Sequence, residues 1–413
     1  MFKKFSAMML ALVLLLSFSV SAHAEGKPVS IWLDGQQIEF GQEAPYIEQG
    51  TTLVPVQPMF EKLGYEVSWD EERTTVTGTK EDLSVSFHTD SAAAVVNGQE
   101  IGLLVPPALK GDTLYVPVRF ISELAHYKVT WDHENYAVQL VLKEGSKGFL
   151  WKTESKGNTV YLLGSIHIAN IDMYPLDKKI TDAFKASDYL TVEVDLSDEN
   201  LAFEEMLEEI GTFQDGTTLK DHVSADTYEQ LGDILEGLGL ERTTYDAYKP
   251  WVVASTLESV TLLIEGYDAQ IGIDMYFMSH AKQMGLPIIS LETADFQLEL
   301  LDSLYEKEQE QMLVQSMDSF MGGAGEEFEK LIEMWITGDD AALTSFIEES
   351  AVDEAGYKAM LVDRNIGMAD KIAEYLNGEQ GETYFVVVGA AHMLGDDGIV
   401  PLLEKKGFTV ERQ

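Results

Sequence analysis

Tyr384-Phe385-Val386-Val387-Val388-Gly389-Ala390-Ala391-His392 sets an apolar β-type run against a glycine and, three residues on, a histidine. The same grammar occurs in Thr159-Val160-Tyr161-Leu162-Leu163-Gly164-Ser165-Ile166-His167. Short continuous apolar runs bounded by glycine are the pattern of strands buried on both faces. Glycine permits a tight turn at the strand end, and the histidine then projects from the carboxyl edge of the sheet, where open α/β sheets build their sites. A third run, Tyr189-Leu190-Thr191-Val192-Glu193-Val194-Asp195, ends in two carboxylates that alternation places on one face. These runs predict an α/β (α+β) domain whose mixed sheet carries the site at its strand ends.

A single Gly-x-x-His is a weak signal, and a histidine taken alone is more often structural. Two copies, each directly after a β-type run in a chain with 8 histidines, point to one shared site. The chain has no cysteine, so thiolate catalysis, disulfides and cysteine-ligated metal are excluded. His167, His392 and Glu193 form a nitrogen and oxygen set suited to a divalent metal ion such as Mn, Co, Zn or Fe. Glu193 is read as either a ligand or a general base.

Between Ser197 and Arg364 the apolar spacing is helical, over Leu201 to Gly211, Ala225 to Leu238, Trp251 to Glu265, Asp274 to Met284 and Glu299 to Phe320. This predicts a long helical insertion. Asp274 has the position of a helix-start cap or charge at least as much as that of a catalytic group. Glu292 closes another strand-like run, Pro287 to Thr293, and is read first as a cap or turn residue. Arg364 would grip a carboxylate or an oxyanion, and a surface salt bridge on an acidic helix explains it nearly as well. His222 and His280 read as surface or helix residues, the many methionines as core, and Met321 to Gly325 as an inter-helix loop.

The N-terminal part repeats itself at an offset of 62, with Val54-Pro55-Val56 returning as Val116-Pro117-Val118 and Trp69-Asp70 as Trp131-Asp132. Asp34-Gly35 and Asn97-Gly98 predict a hairpin in each copy. Copies at about 28–80 and 91–142 form an α+β module over 25–142, a linker follows at 143–148, and the second domain covers 149–413. Met1-Phe2-Lys3-Lys4, the apolar stretch to Val20 and Ala22-His23-Ala24 read as a signal peptide over 1–24. The expectation is therefore an exported protein, secreted or wall-associated, with no membrane span after signal cleavage. Its 71 acidic against 28 basic residues give a net charge of −43, which repels phosphate backbones and excludes nucleic acid as a natural partner.

VPVQPMFEKLGYEVSWD and VPVRFISELAHYKVTWD resemble the copper amine oxidase-like N-terminal domain over roughly 28–142. That resemblance implies an accessory module in contact with the cell wall or presenting substrate. It does not imply copper, because His88, His126 and His133 share no ligand spacing. GSIH, the strand with Glu193, GIDMYF, GLPIISLET and VVVGAAHMLGDDGIVPLLEKKGFTV resemble the TraB/PrgY/GumN family, which includes the TIKI metalloproteases. Carried over residue by residue, the resemblance makes His167, Glu193, His392 and Arg364 the functional residues, and implies metal-dependent hydrolysis of a peptide or small protein substrate. The alternatives are capture of a secreted peptide without cleavage and a wall-associated interaction protein.

Overall fold

The computed structural model describes residues 28–70, 74–80, 83–304, 306–322, 325–350 and 354–413. The expected signal peptide lies outside them, as do the central residues of the expected loop at 321–325. No helix among the described residues is long and apolar enough to cross a membrane. The chain divides into two compact units between Lys143 and Glu144.

The first unit is built from β1 (Ser30–Leu33), β2 (Gln36–Gln37), β3 (Tyr46–Glu48), β4 (Thr51–Pro55), β5 (Glu66–Trp69), β6 (Thr75–Lys80), β7 (Leu83–His88), β8 (Ala93–Val96), β9 (Gln99–Gly102), β10 (Ala108–Lys110), β11 (Thr113–Pro117), β12 (Tyr127–Asp132) and β13 (Ala137–Leu142), with short helices at Val56–Lys62 and Val118–Leu124. The two Val-Pro-Val strands pair with each other, Val54 opposite Val116, so a local pseudo-two-fold axis runs through equivalent residues of the two copies. The copies interlock. β1 and β2 of the first complete a sheet with β12 and β13 of the second, and β8 and β9 of the second complete one with β5, β6 and β7 of the first. β7 has no counterpart in the second copy, so β13 meets β1 directly and parallel, whereas β6 and β8 are separated by one antiparallel strand.

Both predicted hairpins form. Asp34 and Gly35 have φ of 48° and 79°, and Asn97 and Gly98 have 48° and 86°, the positive pair that a type I′ turn requires. Tyr65 and Val129 are buried, and Trp69 and Trp131 pack on the same core, as their alternation predicts. Gly64, just past the first helix, has φ of 84°, and its equivalent His126 is held at 67°. His126 thus occupies a helix-ending left-handed position that glycine adopts without strain. His126→Gly is expected to stabilise this unit by about 0.5–1 kcal/mol, the relief of strain being partly offset by added freedom of the unfolded chain. Urea unfolding measures it, and an unchanged or lowered midpoint refutes it.

The second unit is centred on one mixed six-stranded sheet. Its strands are β14 (Phe149–Ser155), β15 (Asn158–Ser165), β16 (Tyr189–Val192), β17 (Ile288–Ser290), β18 (Thr383–Gly389) and β19 (Val410–Arg412). Their order is β17-β16-β18-β15-β14-β19. The first four lie parallel, and the last two add an antiparallel edge. Val386, Val387 and Val388 are fully buried, as a strand covered on both faces should be. Trp335, also fully buried, donates its indole N–H to the Gly164 carbonyl at 2.8 Å and so fixes the end of β15. Residues 145–148 are not a free spacer, since Ser146, Lys147 and Gly148 donate backbone hydrogen bonds to Pro175, Ile336 and Trp335.

The helical insertion has a second small core around Leu231, Leu235, Val253, Leu257 and Leu313. The run expected as one helix from Glu299 to Phe320 is two, Ala294–Asp302 and Glu306–Gly322. Gln309 donates its side-chain amide to the carbonyls of Asp302 and Leu304 at the break, which hydrophobic spacing alone does not register. Met278, Met317 and Met334 are core residues.

A candidate hydrolytic centre at four strand ends

Each of the four parallel strands delivers one polar side chain at its carboxyl end. His167 follows β15, Glu193 follows β16, Glu292 follows β17 and His392 follows β18. Gly389 is the point on which three of them converge. A β-carbon built on it would stand 3.3 Å from Glu193 Oε1, 3.5 Å from His167 Nε2 and 3.5 Å from His392 Cδ2. The glycine of the first motif has a different task. A β-carbon on Gly164 would meet Ala390 Cα at 3.1 Å, so its absence lets the two motif strands close up.

Glu193 is held from both sides. Its Oε1 accepts the Gly389 backbone N–H at 2.7 Å, and its Oε2 accepts Arg364 Nη2 at 2.6 Å and Gln297 Nε2 at 3.1 Å. Burial opposes ionisation, but the charges of His392, His167 and Arg364 and the Gly389 N–H outweigh it and hold the carboxyl at about 2. Burial pushes the His392 imidazole down to about 4. His392 Nε2 lies 3.8 Å from Glu193 Oε1, and with that ring neutral at pH 7 the charges of His167 and Arg364 and the Gly389 N–H hold Glu193 ionised.

His167 differs in both respects. The Asp274 carboxylate, 2.8 Å from Nδ1, raises its pKa to about 9 against the effect of burial. Protein packs closely around the ring, yet 64% of its side-chain surface remains open to solvent, against 6% for His392. His392 Nδ1 lies 2.6 Å from Asn365 Oδ1. Neither Nε2 has a hydrogen-bond partner among the described residues.

Several sequence expectations change here. Arg364 is no surface salt bridge, and the carboxylates it grips are the protein's own. Its Nε and Nη2 donate to Glu292 at 2.7–3.1 Å, Nη2 also to Glu193, and Nη1 to the Met360 carbonyl, so all three nitrogens are committed. The π-helical turn Lys358–Val362 supplies that carbonyl and feeds the helix Asp363–Asn377 that carries Arg364 and Asn365. Asp274 makes no cap, and its carboxylate goes to His167 and Ser165. Glu292 is the Arg364 partner, and the cap behind it is Thr293. Glu193 and Asp195 do not share a face, because β16 ends at Val192 and Asp195 turns to Ser197. His222 bonds Thr217 and stacks on Phe213, and His280 bonds the Tyr276 carbonyl. In the first unit, His88 accepts the Asp90 N–H and His133 sits edge-on to Trp131. Asn365 and Gln297 carry no spacing signal of their own, and only Asn365, next to Arg364, has a position that draws the eye.

Residues 149–412, more than half of the chain, match the TraB/PrgY/gumN family. The chain belongs to that family. Residues 32–140 match the copper amine oxidase N-terminal domain. The uncharacterized protein YbaP of Escherichia coli (strain K12) is 25% identical over 247 residues, covering 59% of this chain and 87% of YbaP. A metalloprotease TIKI homolog of Amphimedon queenslandica is 32% identical over 77 residues, 19% of this chain and 14% of that protein. For this TraB/PrgY/gumN member, no group of three or more His, Asp or Glu side chains among the described residues is arranged to hold a metal ion as it stands. The chemistry of the donor set nonetheless fits one. Two ligands about 2.1 Å from an ion at a tetrahedral angle lie roughly 3.4 Å apart. The His392 Nε2–Glu193 Oε1 separation of 3.8 Å is roughly 0.4 Å wider than that.

Proposed function

We propose that this chain is an exported, divalent-metal-dependent hydrolase that cleaves peptide bonds, with His167 and His392 as ligands through Nε2 and Glu193 as ligand or general base. The observation that supports this reading most is the space above Gly389, which a single methyl group would fill and which two imidazoles and a carboxylate surround. A divalent ion held there would polarise a carbonyl and lower the pKa of a water molecule. The chain's own residues then have distinct tasks. Arg364, Glu292 and Gln297 orient Glu193 rather than touching substrate. His392 closes the buried side, and the open face of His167 is the side from which a substrate enters. The TIKI homolog's name supports metalloproteolysis, and the acidic surface favours cationic peptides at low ionic strength.

His167 must give up its proton to act as a ligand. With its pKa raised to about 9, loading at pH 7 is expected to release about one proton, and affinity should climb with pH until it levels off above 9. Calorimetric titrations with Mn, Co, Zn and Fe ions in buffers of different ionisation enthalpy count that proton. A peptide library incubated with the loaded protein then tests the reaction itself. Cleavage that disappears on chelation and in His392→Ala is the expected result. Saturable binding with every peptide recovered intact would replace hydrolysis by peptide capture.

A further inference from the structure

The two histidines are backed by different acceptors, and each acceptor is itself held in place. Asp274 Oδ2 faces His167 Nδ1 at 2.8 Å while its Oδ1 accepts the Ser165 hydroxyl at 2.7 Å. Asn365 Oδ1 faces His392 Nδ1 at 2.6 Å while its Nδ2 donates to the Asp397 carbonyl at 2.9 Å. A backbone carbonyl only accepts, so the Asn365 amide has one allowed orientation, with nitrogen toward Asp397 and oxygen toward the ring. That oxygen in turn only accepts, so His392 Nδ1 must carry the proton. The same logic applies to the carboxylate behind His167.

We infer that Asp274 and Asn365 are the positioning residues of this site: they keep a proton on Nδ1 of both histidines, so that each neutral ring offers its Nε2 lone pair to the space above Gly389. With the His392 ring neutral, its Nε2 and Glu193 Oε1 are two acceptors 3.8 Å apart with no donor between them. Such an arrangement favours a cation, and fixing the tautomer and orientation of the ring is the role second partners play for metal-bound imidazoles. The two partners differ in kind. Asp274 delivers a charge to the exposed ring, and Asn365 delivers only direction to the buried one.

The inference rests on the metal-site reading, and the test separates the two. The full chain, labelled with ¹⁵N in its imidazole rings, is examined by NMR at pH 10, where neutral rings report their tautomer directly, and is titrated separately with cobalt(II) at pH 7.5. Nδ1–H signals for His167 and His392 in the wild type are expected. Asn365→Leu should mix the His392 tautomers and leave His167 unchanged. Cobalt affinity should fall about 10- to 100-fold in Asn365→Leu and in Asp274→Ala, and less in Asp274→Asn, which keeps an acceptor oxygen. A proton on Nε2 of either ring in the wild type overturns the inference without any variant. So does an unaltered His392 tautomer in folded Asn365→Leu. Nδ1–H on both rings in a wild type that binds no cobalt supports the positioning roles and overturns the hydrolase reading.

Discussion

Gly389→Ala is expected to yield a folded protein that has lost at least about 100-fold in kcat/KM, the scale of effect produced by misplacing reacting groups by an ångström. The backbone permits the change, since Gly389 has φ of −49° and ψ of 137°, which alanine adopts freely. The added methyl instead stands 3.3 Å from Glu193 Oε1 and 3.5 Å from His167 Nε2, inside the space the three side chains share. Metal titration, turnover of a peptide substrate and thermal unfolding measured together decide the matter. Near wild-type metal affinity in the variant would remove the site from above Gly389. Gly164→Ala is the contrasting control. Its methyl would press on Ala390 Cα at 3.1 Å and Phe149 Cβ at 3.2 Å in the sheet core, so stability should fall first.

Arg364→Met should destabilise the second unit by about 3–5 kcal/mol, because it leaves the buried carboxylates of Glu193 and Glu292 without their shared cation. Adding Glu292→Gln should recover part of that loss by removing one of the two stranded charges. The pH dependence follows from Glu193. Its folded-state pKa of about 2 lies below the ordinary value, so its contribution is present above about 4.5 and is lost as pH falls toward 2. Without Arg364 that depression shrinks, and the gap between wild type and variant should be widest near neutral pH and close as the carboxyls take up protons. Urea unfolding at pH 7 and pH 4 reads both effects. A gap that stays constant across that range would mean that Arg364 acts through packing and not through charge.

The parts of this architecture that depend on local pattern were legible before any coordinates. Apolar runs ending in glycine gave the central strands, and the two Gly-x-x-His motifs gave the two imidazoles that lie beside Gly389. The Asp-Gly and Asn-Gly pairs gave their turns. What stayed hidden are contacts between residues far apart in the chain. Asp274 reaches His167 across 107 positions, and Arg364 reaches Glu193 across 171. Hydrophobic period tells which face of a helix is buried but not which strand end it is buried against, so Asp274 and Glu292 both looked like caps. Arg364 read as a grip for an anion or, nearly as well, as a surface salt bridge, because the acidic chain around it does not say which carboxylate it meets. The π-helical turn just before it, of a kind frequent at functional sites, is not registered by hydrophobic spacing.

The interlocked hairpins of the first unit also bear on its history. After a duplication whose products exchange strands in this way, each copy pairs with strands of its neighbour, and deleting either would bare further strand edges on the other, the surfaces along which proteins aggregate. Such a module is inherited or discarded whole, and its two halves are free to diverge in sequence, as Gly64 and His126 have, only so long as the strand exchange between them survives.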